Sequence, residues 1–300
     1  MESGQSHKAI YYICYLLAML IFGTNGLLVA GIDLQGGQIV LFRTLIGGIL
    51  LTAIVLFRGG FDRSAVRAEA VPLLCGGVAL GLDWIALFEA YQLLNVSLAT
   101  LIDYSGPMIV LALSPLLFRE KLTGMRIGAA CLVAFGLICI SGSIAGGGMS
   151  IRGLIVAFIA ALLYAALIVF NKHISRTGGL QSAAIELDVA FVVVLLYVLL
   201  AAGLPVPQKH EIPALLVLGA VNTGLAYLLY FSGMQNLPAH SVALLSYVEP
   251  VSALLFAAVF LQETMSPVQI LGAVLIIGGA LLGEWRRSSE IGRASCRERV

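Results

Sequence analysis

The chain has 300 residues, a formal net charge of +1, 60% hydrophobic residues and only 11% charged ones, with a mean hydropathy of +1.02. Soluble domains are about 45–50% apolar, so this composition excludes a water-soluble protein. Alternating apolar segments of about ten residues are absent, which excludes a membrane β-barrel.

Apolar runs of about 18–22 residues, enough to cross roughly 30 Å of hydrocarbon as helices, recur along the chain. The predicted spans are 9–30, 38–57, 70–92, 97–118, 124–142, 152–171, 182–203, 212–233, 240–261 and 267–285, ten in all. The first is too long for the apolar core of a cleavable signal and lacks a small-x-small site, so it reads as a membrane helix. Asn25 is its most polar side chain. The second span carries Arg43, the third Asp83, Trp84, Phe88 and Tyr91, and the fourth Asp103, Tyr104 and Pro107. Tyr164 and Asn171 lie in the sixth, Glu186 and Asp188 in the seventh, and Tyr227, Tyr230 and Phe231 in the eighth. Tyr247, Glu249 and Pro250 fall in the ninth. Gly124-x-x-x-Gly128 and Gly279-x-x-x-Gly283 mark small-residue faces for close helix contact in the fifth and tenth. Residues 290–300 differ in composition from the rest and read as a vector-derived tail outside the fold. The five cysteines have neither a disulfide framework nor a metal spacing, so no cofactor or metal is expected.

One pattern occurs twice: Tyr104, Pro107, Glu120 and Tyr247, Pro250, Glu263, at an offset of 143 (247 − 104 = 143). Trp84 falls on Tyr227, Phe88 on Phe231 and Gln92 on Gln235 at the same offset. The chain is therefore two copies of one unit, residues 9–142 and 152–285, with five spans each. A cytoplasmic N-terminus puts eleven basic residues inside (Lys8, Arg58, Arg63, Arg67, Arg119, Lys121, Arg126, Lys172, Arg176, Arg286, Arg287) and two outside (Arg152, Lys209). That is a strong positive-inside bias, with both termini cytoplasmic. Five is odd, so the second copy is expected to insert upside down. Inverted repeats are the signature of transporters that expose one central site alternately to each side.

Asp83, Glu89, Asp103, Glu186, Asp188, Glu249 and Arg43 all lie within spans. Each would cost about 2.5–3.5 kcal/mol facing lipid at mid-depth, so most must face a cavity, one another or an interface. Glu249 and Asp83 are the deepest. Arg43 and Asp103 both enter from the outer side and are expected to form a structural ion pair near the outer mouth. Glu89, Glu186 and Asp188 lie near span ends, where water can reach them. Trp84, Phe88 and Tyr91 share one helical face, repeated by Tyr227 and Phe231. With Tyr104, Tyr164 and Tyr247 they are expected to line a wet cavity, because a buried phenol needs a partner. Pro107 and Pro250 sit inside helices as a fixed bend or a hinge.

The stretch Ser97 to Pro107 followed by Arg119-Glu120-Lys121, its second copy from Ser241 to Pro250 with Gln262-Glu263-Thr264, and Phe42-Arg43 resemble the EamA-type repeat of the drug/metabolite transporter superfamily. Within it the chain looks most similar to the YddG-type amino-acid exporters. The resemblance covers residues 9–285 and implies an all-α, ten-span protein of the bacterial cytoplasmic membrane. It also implies export of amino acids, aromatic ones included, through a central cavity. Asn25, Asp83, Glu249 and the tyrosine hydroxyls would orient the polar end of the substrate. Small multidrug relatives use an acid in their first helix for proton coupling; none stands here, so facilitated export is as compatible with the sequence as proton antiport. The expected partners are a small-molecule substrate and membrane lipids, with no nucleic acid and no obligate protein partner. Other metabolites or drugs are the alternative cargo. An intramembrane enzyme is the remote alternative, since no protease or hydrolase motif accompanies the acids.

Overall fold

The structure, a computed structural model, describes residues 2–110, 113, 124–142, 150–234, 236–237, 245–279 and 281–282. Glu120, Gly283 and the 290–300 tail lie outside the described residues. Every regular element among the described residues is helical. Among the described residues, six helices are long and apolar enough to cross a membrane, and four shorter apolar helices accompany them.

The first span is two helices, α1 (Glu2–Gly23) and α2 (Asn25–Ala30). After them come α3 (Gly36–Phe57), the short α4 (Arg63–Ala68), α5 (Ala70–Leu93), α6 (Val96–Asp103) and α7 (Gly124–Gly142). The second half holds α8 (Ile151–Asn171), α9 (Gly179–Tyr197), α10 (Ile212–Gly219), α11 (Ala226–Met234), α12 (Val248–Phe260) and α13 (Pro267–Gly279). A π-helical stretch, Ala220–Leu225, joins α10 to α11.

The two halves interleave. α5 packs on α8 and α9, α6 on α8, and α3 on α9. The counterparts repeat this: α11 packs on α1, α10 on α3, and α12 on α1. Exchanging the halves thus maps the contact pattern onto itself. Small residues permit the close approaches. A Cβ on Gly81 would meet the Ala190 backbone at 3.1 Å, and one on Gly36 the Phe88 and Glu89 backbone. Gly136 faces the Gly272 carbonyl, and Gly279 the Ala129 carbonyl, where α7 meets α13. Gly124 and Gly128, expected to form such a face, have nothing among the described residues within 4 Å of a built Cβ.

The prolines mark breaks. α6 stops at Asp103, Tyr104 and Ser105 turn, and helix resumes at residue 106. Pro107 has no N–H for the Asp103 carbonyl and its ring crowds that oxygen. Ser105 instead donates from N and Oγ to the Ile102 carbonyl, at 3.0 and 2.6 Å. In the second half α12 begins directly after a turn at Tyr247, three residues before Pro250.

The π-helical stretch has a sequence cause. Glu69 and Glu211 both occupy the position just before a helix. The helix from Glu211 is one residue longer to its matching glycine (224 − 211 = 13 against 81 − 69 = 12). A π-bulge absorbs one extra residue.

Candidate functional site

A cavity of about 570 Å³ lies between the halves, lined from α1, α2, α3, α5, α6, α8, α9, α11 and α12. At one end it reaches Thr177 in the loop before α9 and Gly179, its first residue; at the other it is bounded by Asn25, Gly26 and Arg43. Of the residues predicted to bind substrate, it brings together Asn25, Asp83, Trp84, Tyr104, Tyr164, Tyr227, Phe231 and Glu249.

Two predicted residues lie elsewhere. Phe88 is fully buried in the core, with its ring 5.4 Å from that of Tyr91. The cavity face of α5 runs through Leu80, Asp83, Trp84, Leu87 and Tyr91, and Phe88 falls on its flank, in the core shared with Ile39 and Val40 of α3, with its backbone against Gly36. Tyr247 packs beside the core formed around Leu98, Leu101 and Met108, not in the cavity lining. Its counterpart Tyr104 lines the cavity, so residues equivalent in sequence are not equivalent in this conformation.

The expected Arg43–Asp103 ion pair is absent. Arg43 is 3% exposed; its Nε donates to Thr223 Oγ1 at 3.0 Å, and its guanidinium lies 3.8 Å from the Trp84 ring centroid. Such stacking suits the planar, weakly hydrated guanidinium. Asp103 and Asp83 are both buried and both line the cavity. Oδ1 of each is buried with no hydrogen-bond partner. Glu249 and Tyr104 both line the cavity. Glu186, expected near water, is 6% exposed; it lines the cavity and accepts from Asn171 Nδ2 at 3.3 Å.

The aromatic side chains form two groups. Trp84 meets Tyr227 edge-on at 6.5 Å, Tyr227 meets Phe22 at 5.4 Å, and Tyr230 meets Phe231 at 5.0 Å. Across from them Tyr104 and Tyr164 meet edge-on at 6.4 Å. The sequence reading missed Phe22, Thr100, Asn222 and Thr223. Asn222 and Thr223 lie on the π-helical stretch. Asn222 Nδ2 donates to the Ile21 carbonyl, Thr24 Oγ1 and Asn25 Oδ1, at 2.8, 2.9 and 3.0 Å. It therefore fixes the break between α1 and α2 and the side chain of Asn25.

Three glutamates outside the cavity hold backbone N–H groups near the start of helices in the opposite half. Glu69 accepts from the N–H groups of Ser175, Arg176 and Thr177 at 2.8, 2.8 and 2.9 Å, ahead of α9. Those bonds, Ser175 foremost, hold its carboxyl down at about 2. Its counterpart Glu211 accepts from Asp33 N at 2.7 Å, ahead of α3. Glu263 accepts from Val96 N, Ser97 N and Ser97 Oγ at 2.8, 3.1 and 2.7 Å, at the start of α6. Val96 in turn packs on Gly26, where any Cβ would strike it. Asp33, His210 and Glu211 have potential ligand atoms within 4.8 Å of one another, but both Glu211 oxygens accept backbone N–H groups, from Asp33 and Gln208.

The EamA-like transporter family matches the chain twice, over residues 9–142 and 151–283. The chain is 24% identical over 293 residues to the uncharacterized transporter YxxF of Bacillus subtilis, covering 96% of this chain and 93% of that one. It is 25% identical over 269 residues to the threonine/homoserine exporter RhtA of Escherichia coli K12, covering 85% and 88%. A crystal structure shares the fold with a TM-score of 0.65 at 22% identity, over 91% of this chain and 96% of that one.

Proposed function

The chain belongs to the EamA-like transporter family, and from that premise we propose that it exports amino acids, aromatic and other small neutral ones, by alternating access through the central cavity. That it is a multi-pass transporter of the bacterial inner membrane and not an enzyme follows from the family and its exporter relatives. The amino-acid cargo, ten spans, inverted halves and cytoplasmic termini are the further steps of the reading.

One observation carries it: a single cavity holds a guanidinium, several carboxyls and facing aromatic rings. Arg43 suits a substrate carboxylate, Asp83, Asp103 and Glu249 suit an ammonium, and Trp84, Tyr227 and Phe231 offer an apolar wall to a side chain. Apolar walls with a few placed polar groups are the usual make-up of a small-molecule site. Asn25, held by Asn222, bounds the polar end.

In this reading the conformation is inward-open. The cavity reaches the loop around Thr177, which the charge bias puts in the cytoplasm. At the far end Glu263 fastens the start of α6, and Val96 closes on Gly26. Substrate would enter from the cytoplasm, and breaking the Glu263 fastening would release it outward. Tyr104 in the cavity and Tyr247 out of it is the asymmetry that one of two exchanging states requires. The turns at Tyr104 and Tyr247, each ahead of a proline, supply bends about which the halves can rock. The same wall would also accept a cationic drug, so the test is thermal stabilisation of purified protein across an amino-acid and drug panel. A ligand at 100 times its Kd adds about 2.7 kcal/mol. Stabilisation by amino acids supports the reading, and stabilisation by drugs alone overturns it.

A further inference from the structure

We propose that the loop-side end of the cavity holds a second ammonium subsite, formed by Glu186 with Asn171 and Gly76, and that aliphatic diamines bind by bridging it to the central carboxyls. This ligand class goes beyond amino-acid export and rests on that reading only for the direction in which a bound diamine would move.

Glu186 lines the cavity from α9, at the end that reaches Thr177 and Gly179. It is 6% exposed, and its Oε1 is buried with no hydrogen-bond partner among the described residues. Its Oε2 accepts from Asn171 Nδ2 at 3.3 Å. Gly76 of α5 makes the room for this carboxyl, because a Cβ there would strike Oε1. A buried carboxyl short of donors is a costly arrangement. One that opens on a cavity is satisfied by a ligand that brings donors of its own.

The neighbouring polar groups have their donors engaged already. Asn171 Nδ2 is shared between Glu186 and the Leu167 carbonyl. Ser182 Oγ donates to the Thr177 and Gly178 carbonyls at 3.4 and 3.3 Å, and Thr177 Oγ1 donates to Glu69 Oε2 at 2.8 Å. All three residues line the cavity, and among the described lining residues the single basic one, Arg43, bounds the opposite end. This end therefore presents acceptors. A primary ammonium, with three donors and no acceptor, complements it, and its bond to a carboxylate is of the strong, charge-assisted kind.

The spacing to the central site selects the ligand. Glu186 lies against Gly76, and Asp83 stands seven residues further along α5 (83 − 76 = 7). At 1.5 Å per residue the two levels are about 10 Å apart. Helix α8 gives the same interval: Asn171 holds Glu186, and Tyr164, seven residues away (171 − 164 = 7), meets the ring of Tyr104 next to Asp103. The single ammonium of a neutral amino acid cannot occupy both levels. An extended diamine of about seven carbons, with bonds of about 1.5 Å, spans them. Leu80 and Ile168 line the cavity at positions between the two levels and suit its methylene chain. Four carboxyl side chains and one guanidinium line the cavity, a balance that favours a dication over a zwitterion.

Titration calorimetry on the purified full-length protein tests this with diaminoheptane, putrescine and phenylalanine. Putrescine carries the same two charges as diaminoheptane but is too short to bridge. The wild type should bind diaminoheptane more tightly than putrescine. The extra methylenes add some apolar contact, so the decisive quantity is how the ratio of the two affinities changes. In Glu186→Gln that ratio should fall by about tenfold or more, the loss of one hydrogen bond to a charged group. Gly76→Ala keeps the charge but pushes the carboxylate aside, and should lower the ratio as well. Phenylalanine reports the central site, so its affinity should be the same in the wild type and in Glu186→Gln. A ratio unchanged in either variant overturns the subsite. So does a phenylalanine affinity that falls together with that of diaminoheptane, because Glu186 would then act on the whole cavity. If phenylalanine does not bind the wild type at all, the exporter reading fails, and the diamine ratio alone decides the subsite.

Discussion

Replacing Glu263 by alanine should open the closed end of the cavity. Its two oxygens accept the N–H groups of Val96 and Ser97 and the Ser97 hydroxyl at 2.7–3.1 Å. Val96 and Ser97 are both buried, so Glu263→Ala leaves two buried backbone donors without an acceptor. Each costs about 1–3 kcal/mol, together roughly 2–6 kcal/mol against the conformation described. In the outward-open conformation water can satisfy both groups. At about 1.4 kcal/mol per factor of ten, the equilibrium moves roughly 30-fold to more than 10,000-fold toward outward-open. Glu263→Gln keeps one carbonyl acceptor and should shift it less. The assay uses Val96→Cys in a chain whose native cysteines are replaced, with a membrane-impermeant maleimide added from outside. Val96 donates only from its backbone, so that substitution preserves the fastening. Labelling should be slow with Glu263 present and at least tenfold faster with Glu263→Ala. Equal rates in correctly folded protein refute the fastening as a gate.

Glu69→Gln should loosen the loop before α9 and speed hydrogen exchange at Ser175, Arg176 and Thr177; unchanged exchange counts against it. Because the Glu69 carboxyl is held down at about 2 by those N–H groups, its contribution is complete above the ordinary carboxylate range, about 4.3. It is lost only as pH falls from there through about 2, so the loop should stay protected at every pH from 5 to 8. Trp84→Ala removes both the aromatic wall and the surface under Arg43. A cation–π contact is worth about 0.5–2 kcal/mol from exposed to desolvated sites, so half-saturation for an aromatic amino acid should rise roughly 2- to 30-fold. Gly136→Val should lower the thermal midpoint, since overpacking costs about 1–3 kcal/mol and its Cβ would meet the Gly272 carbonyl at 2.7 Å. Gly128→Val should cost less than Gly136→Val, because nothing among the described residues lies within 4 Å there.

The repeat, the apolar helices and the broken positions ahead of Pro107 and Pro250 were legible in the sequence, because periodicity and missing donors act locally. Most of the aromatic lining was legible too, since a 3.6-residue period puts Trp84 and Tyr91 on one face. Phe88 was misplaced by the same rule: i and i+4 differ by enough rotation for one residue to face the cavity and the next the neighbouring helix. The partner of Arg43 was not legible. Thr223 reaches it from a π-helical stretch that only the one-residue difference between the halves betrays. The glutamate fastenings escaped as well, because their partners are backbone N–H groups, which every residue but proline carries. Tyr104 and Tyr247 show a different limit: sequence symmetry pairs the two residues, while the structure has one in the cavity lining and the other outside it.

The most direct test of the central claim is counterflow. Proteoliposomes loaded with unlabelled threonine or phenylalanine are diluted into a trace of the same labelled amino acid. The account predicts transient uptake of label that is strongly reduced in Trp84→Ala and abolished by cross-linking α6 to α12 across the Glu263 end. Uptake that survives the cross-link would contradict alternating access, and no uptake of any amino acid would contradict the proposed cargo.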